Sequence, residues 1–109
     1  MGVQAFSPMG NTVVLTATTT APTPVQAIAS GLGANQYRIV NDSQYTAFIG
    51  FATTAAGANT NAQVITTTAF CLPLLGGTDE ILTFLPNAYF TAVTASNTAT
   101  IYITPGDGV

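Results

Sequence analysis

The chain has 109 residues, a single Lys or Arg, four Asp or Glu, no His and no Trp, for a formal net charge of -3. That length makes one domain able to bury about two-thirds of its unfolded surface. One cation cannot neutralise a phosphate backbone or hold an anionic lipid surface, so neither nucleic acid nor a membrane is an expected partner.

Charged residues make up 5% of the sequence, against about a quarter in an ordinary soluble domain. A folded monomer of this size exposes roughly 5,700 Å², so a charge falls only about once per 1,000 Å². A cover of Thr, Ala, Asn, Gly and apolar side chains is poor for a free monomer and suits a surface docked against another protein. The alternative is a monomer kept soluble by threonine hydroxyls. No basic stretch precedes an apolar run at the start, so no secretory signal is expected, and Phe6 stands where a myristoylation motif needs Ser or Thr. Apolar runs are too short and too often broken to span a bilayer.

Residues 1–11, MGVQAFSPMGN, lack strand periodicity and read as an extended N-terminal arm with Phe6 and Met9 as anchors, or as a frayed terminus. Residues 12–109 form a single domain. Thr12 to Thr18 is rich in β-branched residues and predicts a strand. Prolines 22 and 24 break it, and Val25 to Ala29 follows as a second strand. Ser30 to Asn35 is a glycine-containing turn. Gln36 to Val40 and Tyr45 to Ala52 are two more strands, expected to form a hairpin across Asn41–Gln44. Gly50 within the second marks a bulge or a close backbone approach.

Thr53 to Asn61 reads as a loop of small residues, and Gln63 to Thr66 as a weak strand. Ala69 to Leu75 contains Pro73, which confines it to a sheet edge. Glu80 to Leu85, Ala88 to Ala95 and Thr98 to Thr104 then form a closing three-strand unit at the centre of the domain. Along the last of these, Ile101 and Ile103 share one face and Thr100, Tyr102 and Thr104 the other. Seven or eight short strands with turn signals every 8 to 12 residues or so predict an all-β fold, a small antiparallel β-sandwich or jelly roll.

Catalytic chemistry finds little to work with. Without histidine the commonest general base and metal ligand is missing. Cys71 has only carboxylates to activate it and reads as a small apolar residue between Phe70 and Leu72. Asp79 and Glu80 alternate to opposite faces if they lie in a strand, which is wrong for shared acid–base work. No metal-ligand or phosphate-loop spacing occurs, so no cofactor is expected. Asn41-Asp42-Ser43 fits a glycosylation sequon, without a secretory signal to give it meaning. Arg38 reads either as a local partner of Asp42 or as a subunit contact, guanidinium being well suited to interfaces. Tyr37, Tyr45, Tyr89 and Tyr102 are either outward anchors or closures of the sandwich edges.

The Phe-Ser-Pro start, ATTTAPTPVQ, NQYRIVN, PNAYFTAVTA and ATIYITPGDG together resemble small structural proteins of tailed bacteriophages, most of all capsid cement or decoration proteins. The resemblance covers most of the chain in length, composition and segment order and includes no catalytic signature. It implies a non-enzymatic virion protein, made in the host cytoplasm. Such a protein assembles as a homotrimer on the capsid exterior and stabilises the major capsid protein. A carbohydrate- or receptor-binding module of a head fibre or tail is the alternative. The residues expected at an interface are Phe6, Met9, Arg38, Tyr45, Thr100, Tyr102 and Thr104.

Overall fold

A computed structural model describes residues 6–28, 35–64 and 71–107. These residues form strands β1 (Ser7–Pro8), β2 (Val13–Ala17), β3 (Val25–Gln26), β4 (Gln36–Asn41) and β5 (Ala47–Ala52), helix α1 (Ala55–Asn61), then β6 (Cys71–Leu74), β7 (Asp79–Thr83), β8 (Tyr89–Thr94) and β9 (Ala99–Asp107). One sheet runs β1-β9-β4-β7, with β2 beside β1 on the same edge of β9; the other runs β3-β8-β5-β6.

Every ladder is antiparallel, and the pairs nest: β5 with β6, β4 with β7, β3 with β8, β2 with β9. The chain is one long hairpin, and rolling it brings β9 against β4 and β8 against β5 to complete two sheets. That concentric pairing is the jelly-roll arrangement of an all-β sandwich, the fold the strand pattern predicts. An isolated parallel bridge, Thr18 to Val93, ties the end of β2 to the second sheet.

The core lies between the sheets. Leu15, Tyr37, Ile39, Ile101 and Ile103 from the first sheet meet Ile49, Phe51, Leu74, Phe90 and Ala92 from the second. Each set follows the period of two along its strand. Tyr37 and Phe51 both contact Phe90, the Tyr37 ring edge-on at 4.9 Å. The Tyr37 hydroxyl donates to the Leu85 carbonyl and accepts from the Ala88 amide at 3.1 Å, so the turn before β8 is pinned to β4.

Outer cover divides the two sheets. Helix α1 packs on β5 and β8. It sits where Gly50 has no side chain: a Cβ there would lie 2.5 Å from the Ala58 carbonyl oxygen and 2.7 Å from the Ala62 Cα. Residues 18–24 cross the rest of that face, where Thr91 Oγ1 donates to the Pro22 carbonyl and the Thr94 amide to the Thr18 carbonyl. As a result Thr91 and Val93, on the outer side of β8, are nearly as buried as Phe90 and Ala92 on its core side. Among the described residues no element packs on the outer face of the first sheet.

Several expectations are corrected. Strands β4 and β5 do not form a hairpin, because the chain changes sheet between them. Asn41 Nδ2 donates to the Tyr45 and Leu74 carbonyls at 2.8 and 3.0 Å, which satisfies the backbone at that crossing. The segment expected as a small-residue loop contains α1. Thr54 caps it, its hydroxyl accepting from the Gly57 amide at 3.0 Å. Alanine favours the helix, and seven residues are too few to reveal a helical stripe. The closing strands are consecutive in sequence but not neighbours in a sheet. β8 and β9 are each central in a different sheet, and β7 is an edge. Gln63 and Val64 are not in a strand, and the rest of the expected weak strand lies outside the described residues, as do residues 1–5 and 30–34. β6 lies at a sheet edge, as Pro73 requires. The described part of the N-terminal arm lies along its own chain, Ser7 and Pro8 pairing with Asp107 and Gly106.

Candidate interface on the uncovered sheet

Alternation along four neighbouring strands decides what the bare face presents. Val14 of β2 stands opposite Tyr102 of β9, Tyr102 opposite Val40 of β4, and Val40 opposite Asp79 of β7. One step along, Thr104 stands opposite Arg38 and Arg38 opposite Ile81. Thr12 Oγ1 and Thr104 Oγ1 share a hydrogen bond of 2.6 Å. In the other direction Thr16 faces Thr100. Val14, Ile81 and Tyr102 are 53%, 43% and 38% exposed, against zero for Ile101 and Ile103 on the reverse side.

Charge on this face consists of one ion pair and, at its Thr100 end, the exposed Asp42. Arg38 Nε donates to Asp79 Oδ2 at 3.0 Å, with the two side chains about half exposed (51% and 46%). Solvent screens such a pair, which contributes only ~0–1 kcal/mol. Of the two readings of Arg38, the local pair with Asp42 does not form. Four residues along a strand span about 13 Å, whereas the adjacent strand lies about 4.8 Å away. Asp42 instead continues the backbone ladder, its amide donating to the Thr100 carbonyl at 2.9 Å.

Of the residues expected at an interface, the fold brings Arg38, Thr100, Tyr102 and Thr104 together on this face. Tyr45 lies off it, half-buried in the crossing between sheets at the Thr100 end, its hydroxyl accepting from Gln44 Nε2 at 3.1 Å. Phe6 and Met9 lie at the opposite end of β9, where the Phe6 ring fills the space a Cβ on Gly106 would occupy and the Met9 amide donates to the Pro105 carbonyl at 2.8 Å. Val14, Val40 and Ile81 belong to the face and were missed. Their signal was available in the alternation of Val14 with Leu15 and of Val40 with Ile39.

The remaining reactive groups stay apart. Asp79 lies across from Val40 and Glu80 across from Ile39, so the adjacent carboxylates point to opposite faces. Cys71 is half-buried, its Sγ 3.2 Å from the Gln63 carbonyl oxygen. Among the described residues no three His, Cys, Asp or Glu side chains cluster to hold a metal ion, and no helix is long and apolar enough to cross a membrane. An open groove of about 430 Å³ beside β2 and β3, lined by Gly10, Asn11, Val13, Gln26 and Ile28, carries no titratable side chain. This arrangement can bury neutral surface and exchange hydroxyl hydrogen bonds. No family model matches the chain, and no curated protein or solved structure does either.

Proposed function

We propose that this protein is a non-enzymatic structural protein of a tailed-bacteriophage virion. It is a cement or decoration protein that seats the outer face of β2-β9-β4-β7 on the exterior of the major capsid shell and self-associates there. The observation that carries the reading is the uncovered face itself. One sheet is roofed by α1 and residues 18–24, while the other presents Val14, Tyr102, Val40 and Ile81 among threonines with a single ion pair. Proteins rarely leave such a face to water, and charge-depleted centres characterise contact surfaces. The jelly-roll topology supports the reading, since capsid and lectin domains share it. Stabilisation of the shell then comes from area distributed over many neutral contacts.

A glycan-binding module draws less support. Stacking platforms need exposed rings, and Tyr37 is fully buried while Tyr45 and Tyr89 are half-buried. That leaves Tyr102 by itself on the sheet.

Gradient-purified virions of the source phage should contain this chain in stoichiometric proportion to the shell protein. Virions stripped of it should soften on heating and rebind added wild-type protein. Tyr102→Glu, folded by circular dichroism, should fail to rebind. Absence of the chain from purified virions, or undiminished rebinding of Tyr102→Glu, overturns the proposal.

A further inference from the structure

A sheet edge with unpaired backbone groups is a template for another strand, and folded proteins blunt such edges with proline, charge or brevity. Three edges of this sandwich are blunted. β3 is two residues long and follows Pro22 and Pro24. β6 carries Pro73. β7 begins with Asp79 and Glu80, and Glu80 lies on the core side of the sheet, across from the buried Ile39. The fourth edge differs. β1 supplies Pro8 at one end, but Val13–Ala17 of β2 has the sequence VVLTA, with no proline, glycine or charge. It pairs with β9 on one side, and no other described residue extends a ladder from it on the other.

We infer that β2 is a self-association edge, which pairs antiparallel with β2 of a second copy of this chain about a two-fold axis through Leu15. In that register Val14 faces the partner's Thr16 on the outer side, and Val13 faces the partner's Ala17 on the inner side. Every cross-strand pair is neutral and most include a β-branched residue, the kind that stabilises an antiparallel ladder.

Charge placement selects a second copy as the occupant. Asp79 and Glu80 lie on the opposite edge, three strand spacings or about 14 Å away. Asp42 follows β4, and Asp107 ends β9 beside Ser7. Two copies with net charge -3 each therefore meet with their acidic groups away from the seam. A basic peptide would find no carboxylate on β2 to meet.

An axis perpendicular to the sheet leaves both outer faces on the same side. The dimer is a continuous eight-stranded sheet in which the Val14–Tyr102–Val40 row of each copy runs on into the Thr16–Thr100 row of the other. The exposed Ile28 and the groove beside β3 lie along the same edge. This two-fold unit departs from the three-fold assembly that the resemblance implies, and it does not depend on any shell being present.

Sedimentation velocity of the purified protein over a concentration series, with no virions added, reads the assembly directly. A monomer–dimer equilibrium is expected, and Val14→Lys/Thr16→Lys should sediment as a monomer at every concentration with its melting temperature little changed. A monomeric wild type, a trimer, or a dimer that survives the double substitution overturns the inference. Hydrogen exchange on the unsubstituted protein serves if the variant does not fold. Amides of β2 should gain protection as concentration rises while those of β7 do not; concentration-independent protection of β2 overturns the pairing. A dimer that fails to bind stripped virions would leave the edge pairing intact and remove the shell reading alone.

Discussion

Tyr37 shows how much one residue can fasten. It is a tyrosine on a strand of a charge-poor chain, and its ring is completely buried against Phe90. Its hydroxyl satisfies the backbone of the turn that precedes β8. Burial pushes its pKa above the ordinary 10.0, opposed by the backbone hydrogen bonds with Ala88 and Asn87. The folded state therefore holds this proton more tightly than the unfolded chain. The resulting stability is fully present below the unfolded value near 10, and is lost as pH rises through the folded value. Tyr37→Phe leaves the Leu85 carbonyl and Ala88 amide without their partner and should cost about 1–3 kcal/mol near neutral pH. It should also flatten the alkaline limb of a stability–pH profile measured by urea unfolding between about pH 8 and 11. A Tyr37→Phe protein with the same alkaline limb as wild type would contradict this assignment.

At the scale of elements, one glycine determines which sheet is roofed. α1 reaches β5 only because Gly50 presents no side chain to the Ala58 carbonyl and the Ala62 backbone. The helix is too short to be stable by itself, so this packing and the Thr54 cap hold it. Gly50→Ala forces the helix to shift or detach and should destabilise by about 1–3 kcal/mol, as overpacking does. Faster hydrogen exchange in 55–62 than in β9 should accompany the loss. A neutral effect on thermal unfolding would mean that the contact is looser than its geometry implies. The edges carry a related lesson. Pro73, Pro24 and Glu80 each close one edge, so an open β2 is a property of five particular residues rather than of the fold.

For the whole molecule, the scarcity of charge sets the response to solution conditions. The five charged residues are all exposed, and Arg38 with Asp79 forms an ion pair. An exposed pair contributes at most ~1 kcal/mol and is screened within about 10 Å at ordinary salt. Raising sodium chloride from about 0.05 to 0.5 M should therefore move the melting temperature by less than ~3 °C. Self-association should hold or strengthen as salt screens the small net repulsion. Calorimetry and sedimentation at both salt concentrations check this. Dissociation at high salt would show that ion pairs hold the copies together.

Much of the architecture was legible in the chain. Alternation and β-branched content located β2, β4, β8 and β9, because side chains on successive residues of a strand must point to opposite faces. Pro73 marked an edge, since proline cannot donate to a central ladder. The neutral outer row Thr100, Tyr102, Thr104 was readable for the same reason as its buried counterparts Ile101 and Ile103. Pairing was not legible. Asn41–Gln44 has the composition of a hairpin turn, yet it carries the chain between sheets, because a turn's local chemistry does not encode which ladder the next strand joins. The alternative that pairs Arg38 with Asp42 fails for that reason. The partner of Arg38 depends on the β4–β7 register, a contact between residues 41 apart.

The sequence by itself therefore determined an all-β chain with alternating buried and exposed positions, no histidine, and few charged residues. These follow from composition and a period of two, which are local properties. Only the tertiary structure decided that the strands nest as a jelly roll and that α1 roofs one sheet at Gly50. It also brought Val14, Tyr102, Val40 and Ile81 together on the face left bare. Those facts depend on long-range pairing, where the free energy of burying two sheets against each other outweighs the preference of any single turn.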